Sequence, residues 1–254
     1  MPQNSSNQLA ELLSQSHNTV IFTGAGISTE SGIPDFRSPG TGIWTENQPI
    51  DFSEFMASEE ARKETWRRKL KIDPVMSAAE PNAGHMAIAQ LVQVGHVSTI
   101  ITQNIDGLHQ TSGVPEVQVI ELHGNTTYCV CLDCGTRYEL QPIMQAFEAD
   151  ESLPLCQDCN GIVKTATISF GQPMPIAEME RAKEATLQSD LFISIGSSLV
   201  VYPAAGFPLL AKQNNAKLVI LNREPTQLDA EADLVIHDEI GPTLNNLNLG
   251  ARAN

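Results

Sequence analysis

Thr19-Val20-Ile21-Phe22-Thr23-Gly24-Ala25-Gly26-Ile27-Ser28 is the stretch on which the reading of the whole chain turns. Five β-branched or aromatic residues in a row favour a strand, and the absence of polar alternation favours one covered on both faces. The two glycines that follow permit a tight strand-to-helix turn, and they also permit backbone amides to turn toward a phosphate. The segment alone does not choose between these. The dinucleotide fingerprint G-x-G-x-x-G would place glycine at 29, where this chain has Thr29, and no acidic residue closes a second strand about twenty residues on.

Working outward, the same kind of run recurs at Val97 to Thr102, Val117 to Leu122, Leu191 to Ile195, Lys217 to Leu221 and Leu234 to Ile236, with helix-like stretches between. That alternation predicts an α/β protein with a mostly parallel sheet. The runs end in polar or glycine-rich junctions: Gly24-Ala25-Gly26, Gln103-Asn104-Ile105-Asp106, His123-Gly124-Asn125, Gly196-Ser197-Ser198 and Asn222-Arg223-Glu224. In a parallel sheet these lie along one edge, and ligands of open α/β sheets bind outside that carboxyl edge. The five junctions therefore read as one site.

Two segments interrupt the alternation. Residues 39 to about 83 open on Pro39-Gly40-Thr41-Gly42, carry both tryptophans and turn helix-like and charged; residues 126 to about 165 hold all five cysteines. Both read as insertions that together build a smaller lobe. The division expected is 1–38, 84–125 and 166–254 for the large domain, with 39–83 and 126–165 forming the small one. The tail from Leu244 reads as frayed.

With 254 residues the chain is long enough for one large domain or two small ones. Its 30 acidic and 15 basic side chains give a formal charge of -15, which argues against direct nucleic-acid binding, since phosphates demand a basic surface. No run approaches the roughly eighteen apolar residues of a spanning helix, and the polar start MPQNSSNQ is no signal peptide. A cytoplasmic compartment, no membrane partner and a monomer are the default expectations. Six of the 15 basic residues (Arg62, Lys63, Arg67, Arg68, Lys69 and Lys71) fall in one short window. Glu59 with Lys63 and Glu64 with Arg68 are four apart in the favoured helical orientation, so the window reads as a solvated, partly paired helix face.

Cys131-x2-Cys134 and Cys156-x2-Cys159 form two knuckles that can each offer two sulfurs to one tetrahedral ion. Thiolates at this spacing select zinc over magnesium or calcium, and four of them leave no position for catalytic water, so the predicted role is structural. An iron-sulfur cluster or a redox pair is the alternative. Cys129, left over, reads as a small buried apolar side chain.

After the glycine turn comes Glu30-Ser31-Gly32-Ile33-Pro34-Asp35-Phe36-Arg37, a carboxylate, an aromatic and a guanidinium in succession, suited to a loop over a charged ligand. GAGISTESGIPDFRSPGTGIW (24–44), TQNIDGLH (102–109), ELHG (121–124), the paired knuckles, ISFGQPMP (168–175), GSSLVVYPAA (196–205) and LNREPT (221–226) resemble, in order, the sirtuin family of NAD-dependent protein deacylases. The resemblance implies a Rossmann-like NAD-binding domain, a zinc-bearing small lobe, NAD and one structural Zn(2+), and acylated-lysine proteins as substrates.

Carried over residue by residue, the resemblance puts Gly24, Ala25 and Gly26 at the pyrophosphate and Asp35, Phe36 and Arg37 over the nicotinamide ribose, with Glu30 and Trp44 among the cofactor contacts. It puts Gln103, Asn104, Ile105 and Asp106 around the nicotinamide, and Gly196, Ser197, Ser198, Asn222, Arg223, Glu224 and Ile240 at the adenosine end. Ile168, Phe170 and Gly171 would pair with the peptide as an added strand; Ser169 and Gln172 depart from the usual residues there. Asn104, Asp106 and His123 would be catalytic. In the implied chemistry the acyl oxygen attacks C1′ of the nicotinamide ribose, nicotinamide leaves and an alkylimidate forms. His123 then takes a proton from a ribose hydroxyl, which attacks the imidate carbon, and with water consumed free lysine and O-acyl-ADP-ribose result. His85 and His109 read as packing residues.

Family members that remove succinyl or malonyl groups carry a Tyr and an Arg three apart in the first insertion. Those positions fall on Lys69 and Ile72, so acidic acyl groups are expected to be poor substrates, although Lys69 could supply charge in a different geometry. Mono-ADP-ribosyl transfer to a protein acceptor is the competing reading. A non-catalytic NAD- and zinc-containing module is a third, against which the set Asn104, Asp106 and His123 speaks.

Overall fold

A computed structural model describes residues 2–35 and 48–247. In chain order its elements are α1 (Pro2–Gln15), β1 (Thr19–Thr23), α2 (Phe52–Ala57), α3 (Glu59–Ala78), α4 (Ala83–Gln93), β2 (Thr99–Thr102), α5 (Leu108–Thr111) and β3 (Val119–Glu121). Then follow β4 (Gly124–Cys131), β5 (Arg137–Glu139), α6 (Leu140–Asp150), β6 (Val163–Thr167), α7 (Ile176–Gln188), β7 (Leu191–Ile195), α8 (Phe207–Gln213), β8 (Lys217–Leu221), β9 (Leu234–Ile236) and α9 (Ile240–Asn245).

Six strands form one parallel sheet in the order β3-β2-β1-β7-β8-β9. The chain leaves β1 toward β2 and β3 on one side and later fills the other side with β7, β8 and β9, so the topological switch lies between β1 and β7. Thr23 pairs with Thr102 and Ile195, Thr102 with Glu121, Ile195 with Leu221, and Leu221 with Ile236. That register brings the carboxyl ends of all six strands level. The apolar runs are explained by burial on both faces: Ile21, Ile100, Ile193 and Val219 enter one core, and Val20, Phe22, Ile101, Phe192 and Leu218 the other.

The strand expectations hold, with β2 and β3 each starting two residues later than the runs suggest. A 3-10 turn at Glu116–Gln118 occupies the start of the third run. The tail is a correction: Leu244 is buried on α9 in the first core with Leu247 against it, because α9 packs on α4 and α1.

A second, antiparallel sheet has the order β5-β4-β6. Trp66 of α3 is buried with Cys129, Cys131, Leu140, Met144, Phe147, Cys156 and Val163, so the first insertion and the cysteine segment share one core. Arg67 clamps α3 to this module through two 2.6 Å contacts to the carboxylate of Glu151.

The basic window is largely paired: Lys63 with Glu59, Arg67 with Glu60 and Glu151, and Arg68 with Glu64. Lys69 corrects the reading of a solvated face. It is 7% exposed and donates to Asp73 Oδ1 at 2.7 Å, so it is not available to an acidic acyl group.

Candidate active site

Two glycine turns interlock at the switch between β1 and β7. Gly24 N–H donates to Ile195 O at 3.0 Å and Gly26 N–H to Gly196 O at 2.8 Å. A Cβ on Gly26 would lie 2.8 Å from Gly196 Cα, and one on Gly196, whose φ is +64°, would lie 2.5 Å from Ile27 N. Only glycine allows the two turns to approach this closely, and the approach builds the floor of a cleft.

That cleft is a cavity of about 620 Å³ along the sheet's carboxyl edge, within the range of small-molecule sites. Gly24, Ala25, Gly26, Glu30, Asp35, Gln103, Asn104, Ile105, His123, Ile168, Phe170, Gly171, Gly196, Ser197, Ser198, Asn222, Arg223, Glu224 and Ile240 all line it. Asp106 does not: it stands behind the wall, its carboxylate accepting from Ser28 Oγ at 2.7 Å and from Leu108 N–H at 2.9 Å. Phe36, Arg37 and Trp44 lie outside the described residues. Sequence reasoning did not assign Thr29, Thr167, Met174, Val201, Tyr202, Pro203, Asp238 and Glu239, which also line the cavity. Thr29, Met174, Val201, Tyr202 and Pro203 stood within quoted motifs; nothing in the residue types of Thr167, Asp238 and Glu239 signals a wall position.

Polar contacts hold the wall in place. Gln103 Nε2 donates to Ser197 Oγ at 2.8 Å across the switch. Asn104 donates both amide hydrogens, to Gly24 O and to Ser28 Oγ, each at 3.1 Å. Glu30 accepts from Gly241 N–H, and Arg223 pairs with Glu239 at 2.8 Å. The departure at Gln172 also acquires a role: its Oε1 accepts from Ser169 N–H while its own N–H donates to Ser169 O, closing the turn that presents Phe170.

His123 follows β3 and lies 3.0 Å, through Nδ1, from Gln103 O. A carbonyl can only accept, so Nδ1 carries the proton and Nε2 keeps its lone pair. Burial lowers the imidazole pKa below its ordinary value, opposed by the contact with Gln103 O, so the neutral base dominates at neutral pH. Ile168 N–H donates to His123 O, which ties the segment after β6 to the strand end that carries the imidazole.

The sulfurs of Cys131, Cys134, Cys156 and Cys159 lie within 4.8 Å of one another, two pairs of them at 3.5 Å. Tetrahedral zinc with bonds of about 2.3 Å places its sulfurs about 3.8 Å apart, so this set suits one structural ion. Cys129 is fully buried, and burial pushes its thiol up to about 12, as befits an inert side chain.

An open parallel α/β sheet with an interlocked glycine cleft at its switch point, an imidazole base at the cleft wall and a four-cysteine module defines a class of nucleotide-dependent enzyme. The chain belongs to the Sir2 family, whose description matches residues 24–203. It is 56% identical over 237 residues to the NAD-dependent protein deacetylase of Rhodopseudomonas palustris, covering 93% of each chain. It is also 56% identical to NAD-dependent protein deacetylase 1 of Bradyrhizobium diazoefficiens, covering 93% of this chain and 92% of that one. Among solved structures, Sir2 with a p53 peptide and NAD+ superposes with a TM-score of 0.85 at 37% identity, over 94% of this chain and 95% of the other. Sir2 bound to an acetylated peptide gives 0.84 at 35%, over 95% and 96%.

Proposed function

We propose that the chain is an NAD-dependent protein-lysine deacylase that moves the acyl group from lysine to ADP-ribose, with release of nicotinamide and O-acyl-ADP-ribose. The observation that carries this is His123, held by Gln103 O as the tautomer whose Nε2 can accept a proton, in the wall of a cavity floored by interlocked glycines. Relatives at 56% identity that are named deacetylases support it.

NAD fits the cavity as co-substrate. Gly24, Ala25 and Gly26 offer backbone to its phosphates, Gly196, Ser197, Ser198, Asn222, Arg223, Glu224 and Ile240 hold the adenosine end, and Gln103, Asn104 and Ile105 surround the nicotinamide ribose. Glu30 and Asp35 complete the described contacts, with Asp106 acting through Ser28. Phe36, Arg37 and Trp44 belong to the same proposal. His123 removes a proton from a ribose hydroxyl. Ile168, Phe170 and Gly171 pair with the acyl-peptide as an added strand. The four cysteines hold zinc and shape the small lobe. The large domain takes residues 1–38, 84–125 and 166–254, with 39–83 and 126–165 forming the small one. The chain acts in the cytoplasm as a monomer on acylated-lysine proteins. Among the described residues no helix is long and apolar enough to cross a membrane.

The test is a panel of acyl-lysine peptides incubated with NAD and zinc-loaded protein and read by mass spectrometry. Loss of the acyl group with appearance of O-acyl-ADP-ribose is expected, together with a loss of about 10²-fold or more in His123→Ala. ADP-ribose added to the protein acceptor would instead show transferase activity, and full activity of His123→Ala would remove the assigned base.

A further inference from the structure

Behind the nicotinamide wall lie two histidines that the deacylase chemistry does not use. His85 and His109 are 0% and 1% exposed, their rings 5.1 Å apart and inclined at 59°. Neither nitrogen of His85, nor Nδ1 of His109, has a hydrogen-bond partner among the described residues. A leucine or methionine could fill such a place without burying unpaired nitrogens, so packing alone does not account for an imidazole at 109.

The fourth nitrogen is engaged. His109 Nε2 lies 2.9 Å from Thr23 Oγ1, and Thr23 Oγ1 donates to Thr102 Oγ1 at 2.8 Å. Thr23 has one hydroxyl hydrogen and directs it to Thr102, so His109 Nε2 must be the donor to Thr23. Thr102 Oγ1 in turn accepts the backbone N–H of Asn104 at 3.0 Å. Every group in this chain is buried: the one hydrogen of Thr23 goes to Thr102, which leaves His109 as the donor to Thr23, and the Asn104 N–H, which can only donate, also ends on Thr102. Burial lowers His109 to about 3, so the ring stays neutral and the direction persists through the working pH range.

We propose that His109 is a positioning residue for Asn104, acting through the Thr23 and Thr102 hydroxyls. The inference rests on the deacylase reading. Asn104, which lines the cavity, has both side-chain amide hydrogens committed, to Gly24 O and Ser28 Oγ, so only its Oδ1 is left for a ligand there. Its backbone is anchored by the Thr102 hydroxyl, and that hydroxyl is oriented by the chain that starts at His109. Without the His109 donor, Thr23 can turn its hydrogen elsewhere. Thr102 is then free to rotate, and the anchor under Asn104 loosens.

The experiment compares wild type, His109→Leu, His109→Gln and the isosteric Thr23→Val. Each is assayed for nicotinamide release and deacylation across pH, with zinc content and thermal midpoint as measures of folding. His109→Leu is expected to lower kcat about tenfold to hundredfold, with KM for the acyl-peptide within about twofold, as for other residues that orient a reacting group. Gln, whose Nε2–H can replace that of the imidazole, restores most of the loss. Thr23→Val reproduces the His109→Leu defect, and the double variant is no worse than either single one. The midpoint of the acidic limb stays unchanged, because His123 remains the base. Activity within about twofold of wild type for His109→Leu, an equal loss in Leu and Gln variants, or additive losses in the double variant would overturn the proposal. If His109→Leu does not fold, Thr23→Val decides alone, and its full activity is the contrary result. An inactive wild type would count against the deacylase reading instead.

Discussion

Histidines divide at the residue scale into the one whose role the motif announces and those whose role depends on surroundings. His123 was legible because ELHG placed it after a strand, on the edge already marked by the other junctions. His85 and His109 read as packing residues because nothing in sequence says that two rings from α4 and α5 meet, or that Thr23 and Thr102 sit side by side across β1 and β2. Their burial also affects stability. Burial lowers His85 to about 4 and His109 to about 3, against an ordinary value near 6.5 when unfolded. The unfolded chain therefore binds more protons than the native one once the pH falls below about 6.5, and stability is lost from there down to the folded values. Each ring contributes up to about 1.4 kcal/mol per pH unit within its window. Urea midpoints measured from pH 7 to pH 4.5 are expected to fall steadily, and His109→Gln should flatten the slope; an unchanged slope would show that the ring does not titrate on unfolding.

Among the elements, the strands of the parallel sheet were legible because burial on both faces leaves unbroken runs of Val, Ile, Leu and Phe. The strands of the antiparallel sheet were not. β5 is only three residues long, and β4 and β6 carry threonines, a glycine, a lysine and two of the cysteines, so no period of two stands out. The charged window on α3 was half legible: spacing showed the Glu–Lys and Glu–Arg pairs, but not that Lys69 turns inward. Lys69 and Asp73 are 7% exposed each, and their partnership engages a cation that sequence had offered to a succinyl or malonyl group. Two outcomes belong to α3. Desuccinylation should run well below deacetylation on the same peptide. Lys69→Met should leave that ratio unchanged while lowering stability by about 3 kcal/mol, since it strands the buried carboxylate of Asp73. A selective fall in activity toward the acidic acyl group in Lys69→Met would place the side chain in the acyl pocket after all.

Across the whole molecule, the cysteine cluster is tied to the proposed substrate strand but not to the glycine cleft. The cysteine cluster sits at the far end of the β4–β6 pair, and β6 runs from Val163 to Thr167 directly into Ile168, whose N–H reaches His123 O. The glycine floor, by contrast, is built wholly on β1 and β7 of the parallel sheet. Lys164 reinforces the exit from β6: its buried ammonium donates to the Thr165 and Thr167 carbonyls, fixing the strand as it enters the cleft. Tyr138 steadies the other end by donating its hydroxyl to Cys156 Sγ at 3.1 Å while accepting Gln157 N–H at 3.0 Å. Such contacts to a metal ligand are worth about 10- to 100-fold in affinity. Tyr138→Phe should therefore release zinc to a chromogenic chelator at least about tenfold faster than wild type. Chelation should raise KM for the acyl-peptide and lower turnover while NAD still binds, as read by quenching or calorimetry. Simultaneous loss of NAD binding and peptide turnover on chelation would mean that the metal-bearing lobe also supports the glycine floor, and that the two lobes fold as one unit.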